Sequence, residues 1–297
     1  MPRSRAQLLR PAMRPQTHAK ILLAGPSGSG KSLTALRIAR GLAGPGGRIA
    51  GIDSEHNRLA FYAEHVEFDV LDWEAPYDPA DLCATLLDLQ QSHQVVVIDS
   101  IYHWWGGAGG VLDIVDKNAP KGNQFAGWKV GRPEHAALVD TIMGARCHIV
   151  AACRAKMAYE QQGSKIVQIG EKPQQDDGLV YDLDVGIMQA MNHSFEVVTS
   201  RLGDALPQGK VWQGDQAEEF GQTYADWAIG GEPLADPDAI ADLIERMNTE
   251  GFGGAARRGF KQRFGNPRNL RQSQLADAHQ YVIDREATAD STEQGEG

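Results

Sequence analysis

"GPSGSGKS", Gly25 to Ser32, lies between the apolar run "KILLAG" (20 to 25) and "SLTALRIARGLAG", which is apolar at helical spacing and ends on Gly. The stretch fits G-x-x-x-x-G-K-[ST] in the context that pattern needs, a strand before and a helix after. Gly28 and Gly30 let the backbone turn its amides towards an anion, and the helix starting near Lys31 adds the positive end of its dipole. Lys31 supplies a mobile positive charge to β- and γ-phosphates, and the Ser32 hydroxyl can ligate Mg²⁺. Gly25, Pro26, Ser27, Gly28, Ser29, Gly30, Lys31, Ser32 and Leu33 are therefore the expected nucleotide-binding residues.

Outward from this loop, strands and helices alternate. "RIAGID", "VEFDVLDW", "QVVVIDS" and "CHIVAAC" read as strands; "DPADLCATLLDLQQS", capped by Asp78 and Pro79, and "PEHAALVDTIMGA" read as helices. That alternation predicts an α/β fold, a mainly parallel twisted sheet with helices on both faces. "YDLDVGIMQAM" and "SFEVVTSRL", separated by Asn192 and His193, read as an antiparallel hairpin extending the sheet. The Gly/Pro-rich "GGEPLADPDA" (230 to 239) reads as a linker, followed by a small basic helical module over 240 to 287 and an acidic tail from 288 to 297. The core is expected over 20 to 229.

A phosphate loop needs an acid for the metal. Asp99 ends the apolar strand "VVVID" and is the expected holder of Mg²⁺, with Ser32. In a parallel sheet, active groups gather beyond the carboxyl ends of the strands. "RIAGID" therefore delivers Asp53 and Glu55 to the rim that carries Lys31 and Asp99. Glu55 is the expected base for the attacking water, and Asp53 an anchor for the turn or an outer ligand of the metal.

The chain has 297 residues, 42% hydrophobic, and a formal net charge of -10, which alone argues against a polyanion-binding protein. The charge is unevenly spread. Residues 1 to 52 carry nine Lys/Arg and no Asp/Glu. Arg257, Arg258, Lys261, Arg263, Arg268 and Arg271 share a second acid-free stretch, with Phe260 and Phe264 spaced for one helix face. Residues 1 to 19 have no apolar signal core; they read as a flexible basic arm, or alternatively as a transit peptide. Mean hydropathy is -0.38 and no run suits a membrane span, so no membrane association is expected. Cys83, Cys147 and Cys153 have no metal-ligand spacing and read as free thiols in a reducing, cytoplasmic compartment.

"GIDSEHNRLAFYA" resembles the RecA segment in which a strand ends in I-D-x-E-H and the Glu is the catalytic base, and "VVVIDS" resembles the RecA metal-binding strand. From about Lys20 to Trp227 the chain is similar to phage-encoded ATPases with a RecA core only, through "VVVIDSIYHWWGGAGGVLDIVDK", "FAGWKVGRPEHAALVDTIMGARCHIVAACRAK" and "DGLVYDLD". The resemblance implies a RecA-like P-loop NTPase core that uses ATP and Mg²⁺ and acts on single-stranded DNA in annealing or recombination. It also implies a homo-oligomeric ring or filament, a recombinase or single-strand-binding protein as partner, and, for a phage-encoded chain, the host cytoplasm. DNA-contacting loops are implied after "VVVIDS" and after "CHIVAAC". The first holds Trp104, Trp105, Lys117, Lys121 and Lys129, aromatics and cations suited to base stacking and phosphate contact. Where RecA has a Gln-bearing switch this chain reads Cys153-Arg154-Ala155-Lys156, and the family's Ser-Lys-x-Arg becomes "TSRLGD". Arg154 and Arg201 are the candidates for a cation that senses the γ-phosphate in cis or in trans. A small-molecule or nucleotide kinase, and an ATP-switched binding scaffold without turnover, are the alternatives.

Overall fold

Every residue of "KILLAG" is buried because its strand has a neighbour on each side and helices over both faces. The computed structural model describes residues 12–120, 123–162, 165–175, 177–248, 252–267 and 270–293. In chain order, β1 (Lys20–Gly25) leads through the phosphate loop into α1 (Lys31–Ala43), followed by β2 (Ile49–Asp53), β3 (Asp69–Asp72), α2 (Pro79–Leu89) and β4 (Val95–Asp99). Then come α3 (Tyr102–Gly106), α4 (Val111–Lys117), α5 (Gln124–Gly144), β5 (His148–Gln162), β6 (Lys165–Pro173) and α6 (Asp177–Asp182). The antiparallel end of the sheet is β7 (Val185–Gln189), β8 (Phe195–Ser200) and β9 (Val211–Trp212), after which α7 (Ala217–Ile229) returns over it.

The strand order is β3-β2-β4-β5-β1-β7-β8-β9, with β6 paired to β5. From β3 to β7 the pairs are parallel; β7–β8 and β8–β9 are antiparallel. The expected α/β class, parallel sheet and closing hairpin are all present. Alternate strand residues feed two cores. Ile21, Leu23, Val95, Val97 and Val150 pack with α1 and α7, while Leu22, Ile52, Val96, Ile98 and Ile149 pack with α2 and α5. This two-sided burial is why the central strands are apolar without alternation.

Both segments expected as loops are regular. The stretch after β4 folds into α3, α4 and the start of α5, which runs through Pro133. Pro133 reads locally as a helix start. Tertiary packing carries the helix further back: Gly127 and Gly131 leave room for Val115 of α4, where any Cβ would clash. The stretch after "CHIVAAC" is a β5–β6 ribbon, antiparallel from Ala155↔Pro173 to Gln162↔Lys165. Its polar composition hid the strands, because a two-stranded ribbon outside the main sheet needs no apolar face.

The chain divides into two units, 18–228 and the combination of 1–17 with 229–297. In the second, α8 (Pro237–Met247), α9 (Gly254–Phe264) and α10 (Gln272–Glu293) enclose Leu243, Phe252, Phe260, Leu270 and Val282. Residues 12–17 are not a free arm: the Gln16 amide donates to the Glu232 carbonyl at 2.8 Å, and the Glu232 amide to that of Arg14 at 2.7 Å. The 230–239 stretch is likewise built in rather than a free linker. Ala235 donates to Leu270 at 2.8 Å, and Asp236 caps α8 ahead of Pro237. The α10 backbone continues past 288, where the tail was expected to begin. Among the described residues no helix is long and apolar enough to cross a membrane.

Candidate active site

The register of the parallel strands decides what meets at the rim. Asp53 lies beside Asp99, Asp99 beside Ala152, and Gly25 beside Arg154. The tips of β2 and β4 are stapled: the Ser54 amide donates to the Asp99 carbonyl at 2.8 Å, and the Ser100 amide to Ser54 Oγ, also at 2.8 Å. His103 Nδ1 lies 2.7 Å from the same Ser54 hydroxyl. Beyond these tips opens a cavity of about 890 Å³, lined among others by Gly28, Lys31, Ser32, Glu55, Asp99 and Arg154. That is the size range of nucleotide-sized ligand pockets.

Gly28 and Gly30 have φ of 84° and 89°, in the region where a side chain is strained. A Cβ on Gly30 would also lie 3.0 Å from His193 Nδ1. Two donors from the neighbouring β7 and the turn after it hold the loop in this shape. Gln189 Nε2 donates to the Ser29 carbonyl at 2.7 Å and to Thr34 Oγ1 at 3.0 Å. His193 Nδ1 donates to the same carbonyl at 2.8 Å. Gln189 at the end of β7 and His193 in the turn that follows thus fix the Ser29 carbonyl, and with it the curve of a loop whose Ser29 amide closes back on the Pro26 carbonyl at 3.3 Å. Gln189 and His193 were not legible beforehand. The hairpin was, but nothing local says that its turn abuts a loop 160 residues away.

Lys31 Nζ folds back onto the Pro26 carbonyl at 2.8 Å. Burial lowers its pKa, while Asp99 and Glu55 nearby favour the charged form. Ser32 Oγ donates to Asp99 Oδ2 at 2.5 Å. These two hard oxygens fit Mg²⁺, which typically takes one or two protein ligands and completes its shell with phosphate oxygens and water. Among the described residues no group of three or more His, Cys, Asp or Glu forms a self-sufficient metal cage. Burial pushes the Asp99 carboxyl up to about 6, opposed by the Ser32 hydrogen bond and reinforced by Glu55 and Asp53.

Asp53 anchors the turn that follows β2, the first of the two roles expected for it. Its Oδ1 accepts the Glu55 amide at 2.7 Å and its Oδ2 the Leu59 amide at 2.8 Å, so both oxygens build the turn. That turn holds His56 and Asn57 at φ of 63° and 59°, consecutive left-handed residues of the kind that cluster at functional sites. Glu55 is thereby aimed into the cavity, where Oε2 meets Arg154 Nη2 at 2.7 Å. Arg154 is in the site in cis. Arg201 is not: it follows β8, whose antiparallel course leaves it at the amino ends of the parallel strands, donating to the Tyr181 carbonyl at 2.8 Å. Cys153 also lines the cavity, and burial pushes its thiol up to about 12, away from the thiolate form.

The residues expected to touch DNA separate. Trp104 is fully buried, edge-on to Trp73 and Tyr77 at 5.1 and 5.6 Å, and cannot stack on a base. Trp105 is half-buried against Trp128 and His135. Lys117 pairs with Asp113 at 2.8 Å, and Lys129 is exposed. Arg257, Arg258, Lys261 and Arg263 are exposed on α9, Arg257 donating to the Phe252 carbonyl at 3.2 Å and Arg263 lying over the Phe264 ring at 5.1 Å. Arg271 is half-buried and donates to the Gln16 carbonyl at 3.3 Å. Lys121 and Arg268 lie outside the described residues.

A glycine-shaped anion loop, a Ser–Asp pair for a metal and an acid on the neighbouring strand tip, all on one rim of a parallel sheet, define a P-loop ATPase. A family model described as an AAA domain matches residues 17–211, and the chain belongs to that family. No curated protein matches the chain.

Proposed function

We propose that the protein hydrolyses ATP at this rim and uses the cycle on single-stranded DNA, in annealing or recombination, as a homo-oligomer. The observation that carries the ATPase reading is the placement of Glu55, Lys31 and the Ser32–Asp99 pair around one cavity. Lys31 leaves the Pro26 carbonyl for the β- and γ-phosphates, and the loop amides orient them. Mg²⁺, when bound through Ser32 and Asp99, neutralises charge on those oxygens. Glu55 takes a proton from a water whose oxygen bonds to the γ-phosphorus. The bond from that phosphorus to the bridging oxygen breaks, and its electron pair departs with ADP.

The DNA reading is supported by four exposed cations on α9, a helix without a single acid, and by the resemblance of the core. Neutralised phosphates release counterions, with a salt slope of about -0.7 per contact on single strands. The test is the ATPase rate with and without single-stranded DNA at two salt concentrations, with nucleosides and nucleotides as rival acceptors. DNA should stimulate turnover more at low salt, and Arg258→Ala with Lys261→Ala should flatten the salt slope of binding by about 1.4. Stimulation by a phosphate acceptor, with formation of its phosphorylated product, points instead to a kinase.

A further inference from the structure

Glu55 is ion-paired before any nucleotide arrives. Its side chain is only 16% exposed, and its counterion is Arg154, 49% exposed, at 2.7 Å. A general base held by a guanidinium is both positioned and blunted, since one carboxylate oxygen is spent on the cation. Arg154 is itself well placed for a phosphate. It lies in register with Gly25, the first residue of the phosphate loop, on the strand next to β1, and it lines the same cavity as Lys31. Its positive charge is felt at Lys31 and at His103. A guanidinium's planar fork also suits phosphate oxygens as well as it suits a carboxylate.

We propose that Arg154 is a cis latch on Glu55 that the terminal phosphate of ATP opens. The γ-phosphate draws the guanidinium away, and Glu55 is left free to accept the water proton. ADP has no group in that position and leaves the pair closed. The base is thus unmasked only when there is a phosphate to attack. This rests on reading Glu55 as the base, and it makes Arg154 a positioning residue for Glu55 and a sensor of nucleotide state.

The latch has a thermodynamic signature that a structural ion pair lacks. In the wild type, binding ATP includes breaking the Glu55–Arg154 pair, whereas binding ADP does not. Glu55→Gln keeps the shape but removes the charge, so Arg154 starts free. Titration calorimetry with the β,γ-imido analogue of ATP and with ADP, on wild type, Glu55→Gln, Arg154→Ala and the double variant, reads this directly. Glu55→Gln should bind the analogue about fivefold more tightly, the scale of one partly exposed ion pair, with ADP affinity unchanged. In the Arg154→Ala background the same change should do nothing. Unaltered analogue affinity in Glu55→Gln, an equal gain for ADP, or a gain that persists without Arg154 overturns the latch. ADP affinity in all four proteins reports that the site is folded. Turnover by Glu55→Gln tests the base assignment separately, so failure of one reading is not mistaken for failure of the other.

Discussion

Burial raises the Asp99 carboxyl to about 6, so the native state carries at neutral pH an ionised group that its surroundings disfavour. A carboxyl whose native pKa lies above its unfolded one binds its proton more tightly when folded. Asp99 therefore adds stability as pH falls from 6 towards 4, and subtracts it above 6. Asp99→Asn keeps an acceptor for Ser32 and drops the charge. It should raise Tm at pH 7.5 by roughly 2–4 °C for each kcal/mol recovered, while abolishing Mg²⁺-dependent turnover; a lower Tm by scanning calorimetry counts against this account. At this scale, legibility followed locality. Lys31, Ser32 and Asp99 were readable because motif and strand pattern fix them, and Glu55 because it follows a strand tip. Asp53 and Glu55 were expected to divide the roles of turn anchor and base, and Asp53 is indeed buried beneath two turn amides while Glu55 lines the cavity. Arg201 is out of reach of its own chain's site because a residue after an antiparallel strand ends at the opposite rim, so of the two roles expected for it only the one in trans is open to it.

β1 and β5 meet at their starts through two histidines. The Ala19 amide donates to His148 Nδ1 at 2.9 Å, and the rings of His18 and His148 lie 5.4 Å apart. Burial lowers His18 to about 4 and His148 to about 3, helped by Lys20 and, for His148, by His18. Histidines that stay neutral in the fold but take up protons when unfolded stabilise fully above an ordinary pKa of about 6.5. That contribution is lost as pH falls from there towards 4. His148→Asn, which retains an acceptor for Ala19, should remove about half of the loss in Tm between roughly pH 7 and 5. An unchanged slope in a pH series of thermal melts would contradict that assignment. Element types were readable wherever burial left a pattern, an unbroken apolar run in β1, β4 and the start of β5 and a helical period in α1. The β5–β6 ribbon and the early start of α5 were not. The ribbon has little apolar patterning, and α5 extends because Gly127 and Gly131 admit α4, a tertiary contact with no local signature.

Across the molecule, the α/β class and the split between an ATPase core and a small helical unit followed from alternation and composition. The joining of residues 12–17 to that unit did not, because backbone pairing between segments more than 200 residues apart leaves no pattern in either. A net charge of -10 coexists with an acid-free helix carrying Arg257, Arg258, Lys261 and Arg263, so local rather than net charge bears on a polyanionic partner. What organises the core is one rim, where strand register carries Glu55, Asp99 and Arg154 to the mouth of the phosphate loop. The most direct test is single-turnover hydrolysis of γ-labelled ATP by wild type and Glu55→Gln at saturating protein. The variant should retain nucleotide and release phosphate at least about a hundredfold more slowly, the scale of a lost general base. Phosphate release at the wild-type rate would place the base elsewhere and undo the account.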